Sequence, residues 1–217
     1  MAEKKKEKIR NKWYKKFLNE GIIDTLSEKD IYKALENVNG KYSNEGRALI
    51  ITLYYTGARP VEVLDIKAKD VTKDQSYVLI KVRGAKKGRQ RTIYLRYSLP
   101  LVQELYKYAT SIYDEMFLFF HFRSQYKRGV KNRKGEVVFY EVTTDKLRYW
   151  FRKWFNNVIE DGIPPYFLRH NRFSKMMEAG LTIEEIKQMK GSRTTASVEP
   201  YLHLSTRTAK KLARKND

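Results

Sequence analysis

The sequence predicts an α+β fold that is mainly helical and carries one small antiparallel β-sheet. Several segments place apolar residues at helical spacing after residues that cap helices, which indicates helices. Two β-type runs, residues 77–83 and 90–96, flank a lysine-bearing turn at residues 84–88 and indicate a hairpin. No internal repeat and no long linker follows residue 25, so the 217 residues indicate one main domain.

Three helices are predicted in the first part of the chain. Ser27 precedes acidic residues and is a good helix start. One face of that helix carries Ile31, Leu35 and Val38. A second helix is predicted over residues 47–55 and stops at Gly57, and Pro60 suits the first turn of a third.

A helix, a loop and a strand are predicted after the hairpin. The helix opens at Ser98 and Pro100, and its apolar stripe consists of Val102, Leu105, Tyr106, Ala109 and Tyr113. A short apolar run over residues 117–122 comes next. A basic loop over residues 123–134 and a strand over residues 136–142 are predicted to follow.

The remaining part of the chain predicts three more helices. Thr144 is the predicted cap of a helix whose aromatic stripe we expect to lie in the core: Leu147, Trp150, Phe151, Trp154, Phe155 and Val158. A glycine and two prolines within residues 162–165 break the chain before the next helix, which contains Arg169. Residues 182–185 carry a capping-box pattern for a helix that ends at Gly191.

The chain is strongly basic, because 45 Lys and Arg against 25 Asp and Glu give a net charge of +20. Such a charge indicates a polyanionic partner, most often nucleic acid, although it also serves solubility alone. The absence of cysteine excludes disulfides and thiolate chemistry, and three dispersed histidines indicate no zinc site. No apolar stretch is long enough to span a membrane, and no secretory signal is visible. We expect an intracellular protein, and its composition is compatible with a thermophile.

The first block with candidate chemistry is residues 56–62, Thr-Gly-Ala-Arg-Pro-Val-Glu. A helix end followed at once by a helix start leaves Arg59 at a corner, where a guanidinium can bind a phosphate through two parallel hydrogen bonds. Glu62, three residues later, can hold that arginine in place. The alternative is an ordinary Arg–Glu pair on a helix surface.

Three further blocks follow in order along the chain. Lys86 and Lys87 lie at the predicted hairpin tip, where a mobile ammonium can act as a general acid or contact a DNA backbone. Residues 166–170, Tyr-Phe-Leu-Arg-His, supply a second arginine. Tyr201 follows Gly191 by ten residues, and its place after the other blocks makes it a candidate nucleophile rather than a packed aromatic.

Together these blocks resemble the tyrosine recombinases, also called phage-type integrases. Residues 56–62 resemble the family pattern Thr-Gly-x-Arg-x-x-Glu, and residues 166–170 resemble the second-arginine box. Tyr201, Leu202 and His203 match a common Tyr-x-His ending. The resemblance covers roughly residues 25–205 and implies the tyrosine recombinase catalytic-domain fold.

The resemblance also implies a set of site residues and a reaction. The implied catalytic residues are Arg59, Lys86, Tyr166, Arg169, Ser192 and Tyr201, supported by Glu62, Lys87, His170 and Arg193. Tyr201 attacks a scissile phosphate to give a 3′-phosphotyrosine, the two arginines stabilise the transition state, and a lysine protonates the leaving 5′ oxygen. A 5′ hydroxyl of another strand then reverses the step, so neither ATP nor a metal or other cofactor is required.

Several positions depart from the family pattern. Tyr166 replaces a histidine, as in integrases of archaeal plasmids and viruses, and a tyrosine hydroxyl can donate to a phosphoryl oxygen but is a poor base. Lys86 comes one residue later than in the pattern Gly-Lys-x-x-Lys/Arg-x-Arg and is preferred over Lys87 as the general acid. Ser192 takes the place of another histidine, and Arg193 could supply charge beside it. His170 is interpreted as structural.

The leading functional prediction is a site-specific recombinase or integrase that acts on double-stranded DNA as a synaptic homotetramer. We expect it in the cytoplasm near the nucleoid, without a membrane partner, and encoded by a virus, plasmid or transposon. Alternatives are a type IB topoisomerase-like nicking-closing enzyme and a DNA-binding module that has lost catalysis. Residues 1–24 are predicted to be a basic lead-in or linker. Residues 206–217 are predicted to be a basic tail that docks onto a neighbouring protomer or contacts DNA.

Overall fold

The computed structural model is an α+β structure, mainly helical, as the sequence predicts. It describes residues 25–84, 89–123, 127–131, 135, 137–141, 143–160, 162–192 and 194–198. In these ranges the helices are α1 Glu28–Glu36, α2 Ser43–Thr56, α3 Pro60–Leu64, α4 Pro100–Thr110, α5 Thr143–Trp154, α6 Tyr166–Glu178 and α7 Ile183–Lys190. The strands are β1 Val71–Asp74, β2 Tyr77–Val82, β3 Arg91–Arg96, β4 Lys127–Lys131 and β5 Val137–Glu141. Short 3-10 helices span Ala68–Asp70 and Thr195–Ser197.

Local capping and turn signals set the ends of the helices around the site. Ser27 caps α1, and its hydroxyl and backbone are bonded reciprocally to Asp30. Helix α2 begins earlier than predicted but ends as predicted, because Gly57 adopts a left-handed φ of 58° and turns the chain. Helix α3 then starts with Pro60 at its first position.

The predicted hairpin is confirmed as the pair β2–β3, which belongs to a three-stranded antiparallel sheet in the order β1-β2-β3. Alternating residues of β2, Val78, Ile80 and Val82, point into the core. The sequence analysis did not predict β1. This strand is short and mostly polar, and it joins β2 through a turn at Gln75, which has a φ of 40° and carries none of the usual Gly or Asn turn signal.

Four details of the predicted elements were wrong. Strand β4, paired with β5, lies inside the stretch predicted as a basic loop. Helix α5 begins at Thr143, so Thr144 is a helical residue rather than the cap. Helix α4 is preceded by Leu99, not Ser98, and Tyr113 lies beyond its end with its side chain exposed.

The core forms around α2, which is buried along most of its length. The aromatic stripe of α5 and the residues after it belong to this core, as predicted. Leu147, Phe151, Trp154 and Phe155 are buried, and Trp150 and Val158 are partly buried against them. A second, smaller cluster joins α6 and α7 to the following 3-10 turn and consists of Phe173, Met176, Met177, Ile186 and Val198. None of the helices in the described ranges is long and apolar enough to cross a membrane.

Candidate active site

Arg59 lies at the corner between α2 and α3, as the sequence predicts, and Glu62 holds it there. The Arg59 backbone N–H donates to Glu62 Oε2 at 2.9 Å, and its Nη1 donates to Oε1 at 2.7 Å. The arginine side chain is about one-third exposed while the glutamate side chain is fully buried. The guanidinium is therefore fixed through Nη1 while part of the arginine side chain stays accessible to solvent.

A third group, Arg91 at the start of β3, completes this corner. Its Nη2 donates to Glu62 Oε2 at 2.9 Å, and its side chain is only 8% exposed. Burial raises the pKa of Glu62, but the hydrogen bonds from Arg91 and from the Arg59 backbone outweigh it and hold that pKa below its usual range. Glu62 is therefore an ionised, buried carboxylate between two arginines.

Arg169, on the first turn of α6, is buried and bonded to backbone rather than to an acid. Its Nη1 donates to the carbonyl of Gly57 at 2.6 Å and its Nη2 to the carbonyl of Lys190 at 3.2 Å. The first of these carbonyls belongs to the turn that leads to Arg59, so the two predicted arginines share one corner. Burial lowers the pKa of Arg169 to about 10, and the positive charge of Arg59 adds to that effect. Arg169 remains a cation near neutral pH.

Tyr166 and His170 flank Arg169 on the same helix. Their rings meet edge to face with centroids 5.0 Å apart, and the tyrosine is the more exposed of the two. Burial, followed by the charges of Lys190 and Arg169, lowers the pKa of His170 to about 4. The imidazole is therefore neutral at neutral pH, and its structural role stays a prediction.

Lys190, the last residue of α7, is a buried cation in this corner. Its Nζ lies 5.1 Å from the centre of the Phe173 ring, and the Arg169 guanidinium carbon lies 4.9 Å from the centre of the same ring. Burial, followed by the charges of Arg169 and Arg59, lowers the pKa of Lys190 to about 7. Near neutral pH this lysine exchanges between its charged and neutral forms.

Gly191 and Ser192 form the edge of the corner next to β3. Gly191 has a φ of 62° and ends α7, and its carbonyl accepts from the backbone N–H of Arg89 at 3.3 Å. The Ser192 hydroxyl donates to the Thr194 carbonyl at 3.2 Å. The residues that lead into β3 therefore contact the end of α7.

The described residues bring together five of the ten predicted site residues, namely Arg59, Glu62, Tyr166, Arg169 and His170, with Ser192 at the edge. Lys86, Lys87, Arg193 and Tyr201 lie outside the described residues. In the described ranges there is no group of three or more His, Asp or Glu residues that could hold a metal ion.

The sequence analysis missed two charged residues of the corner, Arg91 and Lys190. A signal for Arg91 was present, since the hairpin pattern ends in an arginine just before the second strand. Lys190 follows the buried Ile186 by four residues, so the helical period places both on one face of α7. A lysine on an apolar face signals a buried cation, but it does not indicate what the cation contacts.

Comparison with known proteins places this geometry in a family. The model of the phage integrase family matches residues 24–208. The chain belongs to this family. It is 25% identical over 186 residues to the tyrosine recombinase XerA of Pyrococcus furiosus, covering 86% of this chain and 59% of that protein. Against XerA of Pyrococcus horikoshii it is 25% identical over 202 residues, covering 93% of this chain and 62% of the relative.

Solved structures of recombinases share the fold. A crystal structure of XerA recombinase matches with a TM-score of 0.61 and 21% identity, over 90% of this chain and 64% of that one. XerH recombinase in a post-cleavage complex with a palindromic difH substrate matches with a TM-score of 0.61 and 18% identity, over 87% of this chain and 52% of that one. The chain thus spans about six-tenths of the length of the XerA relatives.

Proposed function

We propose that this chain is the catalytic domain of a site-specific DNA recombinase, which cleaves and rejoins strands through a 3′-phosphotyrosine at Tyr201. One observation carries the proposal: Arg169 is bonded to the turn that presents Arg59, so two arginines 110 positions apart in sequence form one cationic corner. Membership of the phage integrase family, and the naming of the XerA relatives as tyrosine recombinases, support the same chemistry.

The cationic corner suits a phosphate in the act of transfer. About one-third of the Arg59 side chain is accessible, whereas Arg169 is buried and, in the described part of the chain, donates two of its five N–H groups to carbonyls. Donors fixed before the reaction stabilise the charge that develops on phosphoryl oxygens at no cost of reorganisation. Tyr166, exposed beside Arg169, can donate its hydroxyl to the same oxygens.

The proposed reaction is two transesterifications. The Tyr201 hydroxyl attacks phosphorus and loses its proton to water, the bond from phosphorus to the 5′ oxygen breaks, and Lys86 gives a proton to that oxygen. A 5′ hydroxyl then attacks the phosphotyrosine, the bond to Tyr201 breaks, and the strand is rejoined. Lys86 precedes Arg89 by three residues in the sequence, and Arg89 is bonded to Gly191 beside the corner.

The proposed partner is double-stranded DNA, held by a homotetramer during strand exchange. The net charge of +20 supports DNA as the partner, and so do the structurally similar XerH recombinases, which were solved in complexes with difH substrates. We extend the proposal to a cytoplasmic recombinase of an archaeal mobile element in a thermophile, on the basis of the Tyr166 substitution and the Pyrococcus relatives.

The test uses a suicide duplex, nicked so that cleavage releases a short strand and traps the covalent adduct. Wild type, Tyr201→Phe and Arg169→Lys are incubated with it in EDTA, and adducts that resist SDS are measured on a gel. We expect an adduct in wild type, none in Tyr201→Phe and at most about 1% of the wild-type rate in Arg169→Lys. Where the target site is unknown, a library of genomic fragments replaces the duplex.

Other results would redirect the proposal. An equal adduct in wild type and Tyr201→Phe would move the nucleophile elsewhere. Tight, salt-dependent DNA binding without an adduct would favour a DNA-binding module. Relaxation of supercoiled plasmid without strand exchange between two duplexes would favour a nicking-closing enzyme of type IB.

A further inference from the structure

We infer that Arg91 is a positioning residue that fixes the direction of the Arg59 guanidinium through Glu62. The effect on cleavage rests on the proposed function, while the effect on the geometry of Arg59 does not. Arg91 is the first residue of β3, so the inference connects the hairpin that carries the lysines to the first arginine of the site.

The geometry of the carboxylate gives Arg91 this role. Glu62 Oε2 accepts from both Arg91 Nη2 and the Arg59 backbone, while Oε1 accepts from Arg59 Nη1. A carboxylate whose two oxygens are held in this way cannot rotate without breaking one of these bonds. Because the Glu62 side chain is fully buried, the loss of the Arg91 cation would also remove one of the charges that compensate the carboxylate.

The surroundings of Arg91 indicate that its hydrogen bond to Glu62 holds the guanidinium in place. Its Nε and Nη1 are buried without an acceptor among the described residues, so the guanidinium bears a desolvation cost that only the bond to Glu62 offsets there. Its Nη1 also packs against Gly191, where an added Cβ would lie 2.9 Å away. Arg91 therefore lies between Glu62, which binds its Nη2, and Gly191 at the end of α7, which its Nη1 contacts.

Single-turnover cleavage and DNA affinity are measured for Arg91→Lys, Glu62→Gln and the double variant. The control is Arg96→Lys, which makes the same change at an exposed position of the same strand. We expect Arg91→Lys to lower the cleavage rate constant about 30-fold with the Kd for DNA within about twofold of wild type, because a misdirected Arg59 affects mainly the transition state. Arg96→Lys should cleave at the wild-type rate.

The double variant tests whether Arg91 acts through Glu62. If it does, adding Arg91→Lys to Glu62→Gln lowers the rate by no more than about twofold further, because both changes break the same link. Multiplicative losses in the double variant would overturn the inference, as would an Arg91→Lys rate equal to that of Arg96→Lys. If Arg91→Lys fails to fold, Arg91→Gln, which keeps N–H donors without the charge, replaces it in the same comparison.

A second readout decides the inference even if wild type forms no adduct, in which case the proposed function fails. The Nε–Hε signal of Arg59 is recorded by nuclear magnetic resonance in the free protein and assigned from its loss in Arg59→Lys. We expect it to shift or broaden in Arg91→Lys and to be unchanged in Arg96→Lys. An Arg59 signal that is identical in all three proteins would overturn the inference.

Discussion

The two arginines of the cationic corner are held in opposite ways. Arg59 is partly exposed and is oriented by a buried carboxylate, whereas Arg169 is 1% exposed and donates to two backbone carbonyls. The position of the Arg59 guanidinium depends on one side chain, Glu62, which is in turn held by Arg91. The carbonyl partners of Arg169 tie its position to the fold itself, because they belong to the ends of α2 and α7. Substitution of Arg59 should therefore lower activity with little loss of stability, whereas substitution of Arg169 should lower both.

The largest effect is expected from replacing each arginine by lysine. Arg169→Lys should lower the free energy of unfolding by about 3 kcal/mol, because one ammonium cannot donate to both carbonyls and leaves buried acceptors unpaired. Arg59→Lys should cost less than about 1 kcal/mol, since its ion pair is partly solvated. Both variants should lose at least about 100-fold in cleavage. Chemical denaturation beside the adduct assay checks this pair, and equal losses of stability would break the comparison.

Replacing Lys190 by methionine is expected to stabilise the protein near neutral pH. The folded pKa of about 7 lies below the ordinary value of 10.5, so between these values the unfolded chain binds the extra proton and the lysine opposes folding. Lys190→Met should raise the free energy of unfolding by about 3 kcal/mol at pH 7, with the gain vanishing above about pH 10.5. Urea denaturation at several pH values measures it, and a gain independent of pH would show that the buried charge is not its cause.

His170 is expected to make the Arg169 side of the corner sensitive to acid. Its pKa is about 4 in the folded state and 6.5 ordinarily, so the unfolded chain binds the proton first as the pH falls. Stability should be complete above pH 6.5 and fall by about 2 kcal/mol towards pH 4. His170→Phe should remove this part of the pH dependence in thermal melts, whereas a slope unchanged by the substitution would assign the acid sensitivity to other groups.

The smallest effect on stability is expected from alanine substitutions at two glycines, and their comparison separates backbone strain from crowding at the end of α7. Gly191 and Gly180 both have positive φ, but a Cβ at Gly191 would meet Arg91 Nη1 and the Arg89 carbonyl, while nothing lies within 4 Å of one at Gly180. Each change to alanine should cost about 1 kcal/mol for the φ alone. Gly191→Ala should cost more than Gly180→Ala and should also slow cleavage. Equal melting temperatures for the two variants would contradict a tight fit between Arg91 and Gly191.

Features governed by local chemistry could be predicted from the sequence. The Ser27 cap, the end of α2 at Gly57 and the end of α7 at Gly191 each follow from neighbours within a few residues. Strand β1 was not predicted, because its mostly polar residues do not alternate with apolar ones and its turn at Gln75 contains no Gly or Asn.

The contacts that assemble the corner could not be predicted from local chemistry. Glu62 meets Arg91 across 29 positions, and Gly57 meets Arg169 across 112. Only the order of the motifs, interpreted through the family resemblance, brought the two arginines into one predicted site. The hairpin pattern contained a signal for Arg91, but nothing near Arg91 or Lys190 in the sequence specifies Glu62 or Phe173 as a neighbour.

The small hydrophobic cluster that packs against α7 has a consequence for local opening of the structure. Helix α7 contributes Ile186 to a cluster of five buried side chains that is separate from the main core, whereas α2 is enclosed on nearly every face. Helices with few buried contacts open without global unfolding, so amide protons of α7 should exchange with solvent well before those of α2. Each opening would withdraw the Lys190 carbonyl from Arg169. The residence time of α7 in its closed position would then set how long the cationic corner stays complete.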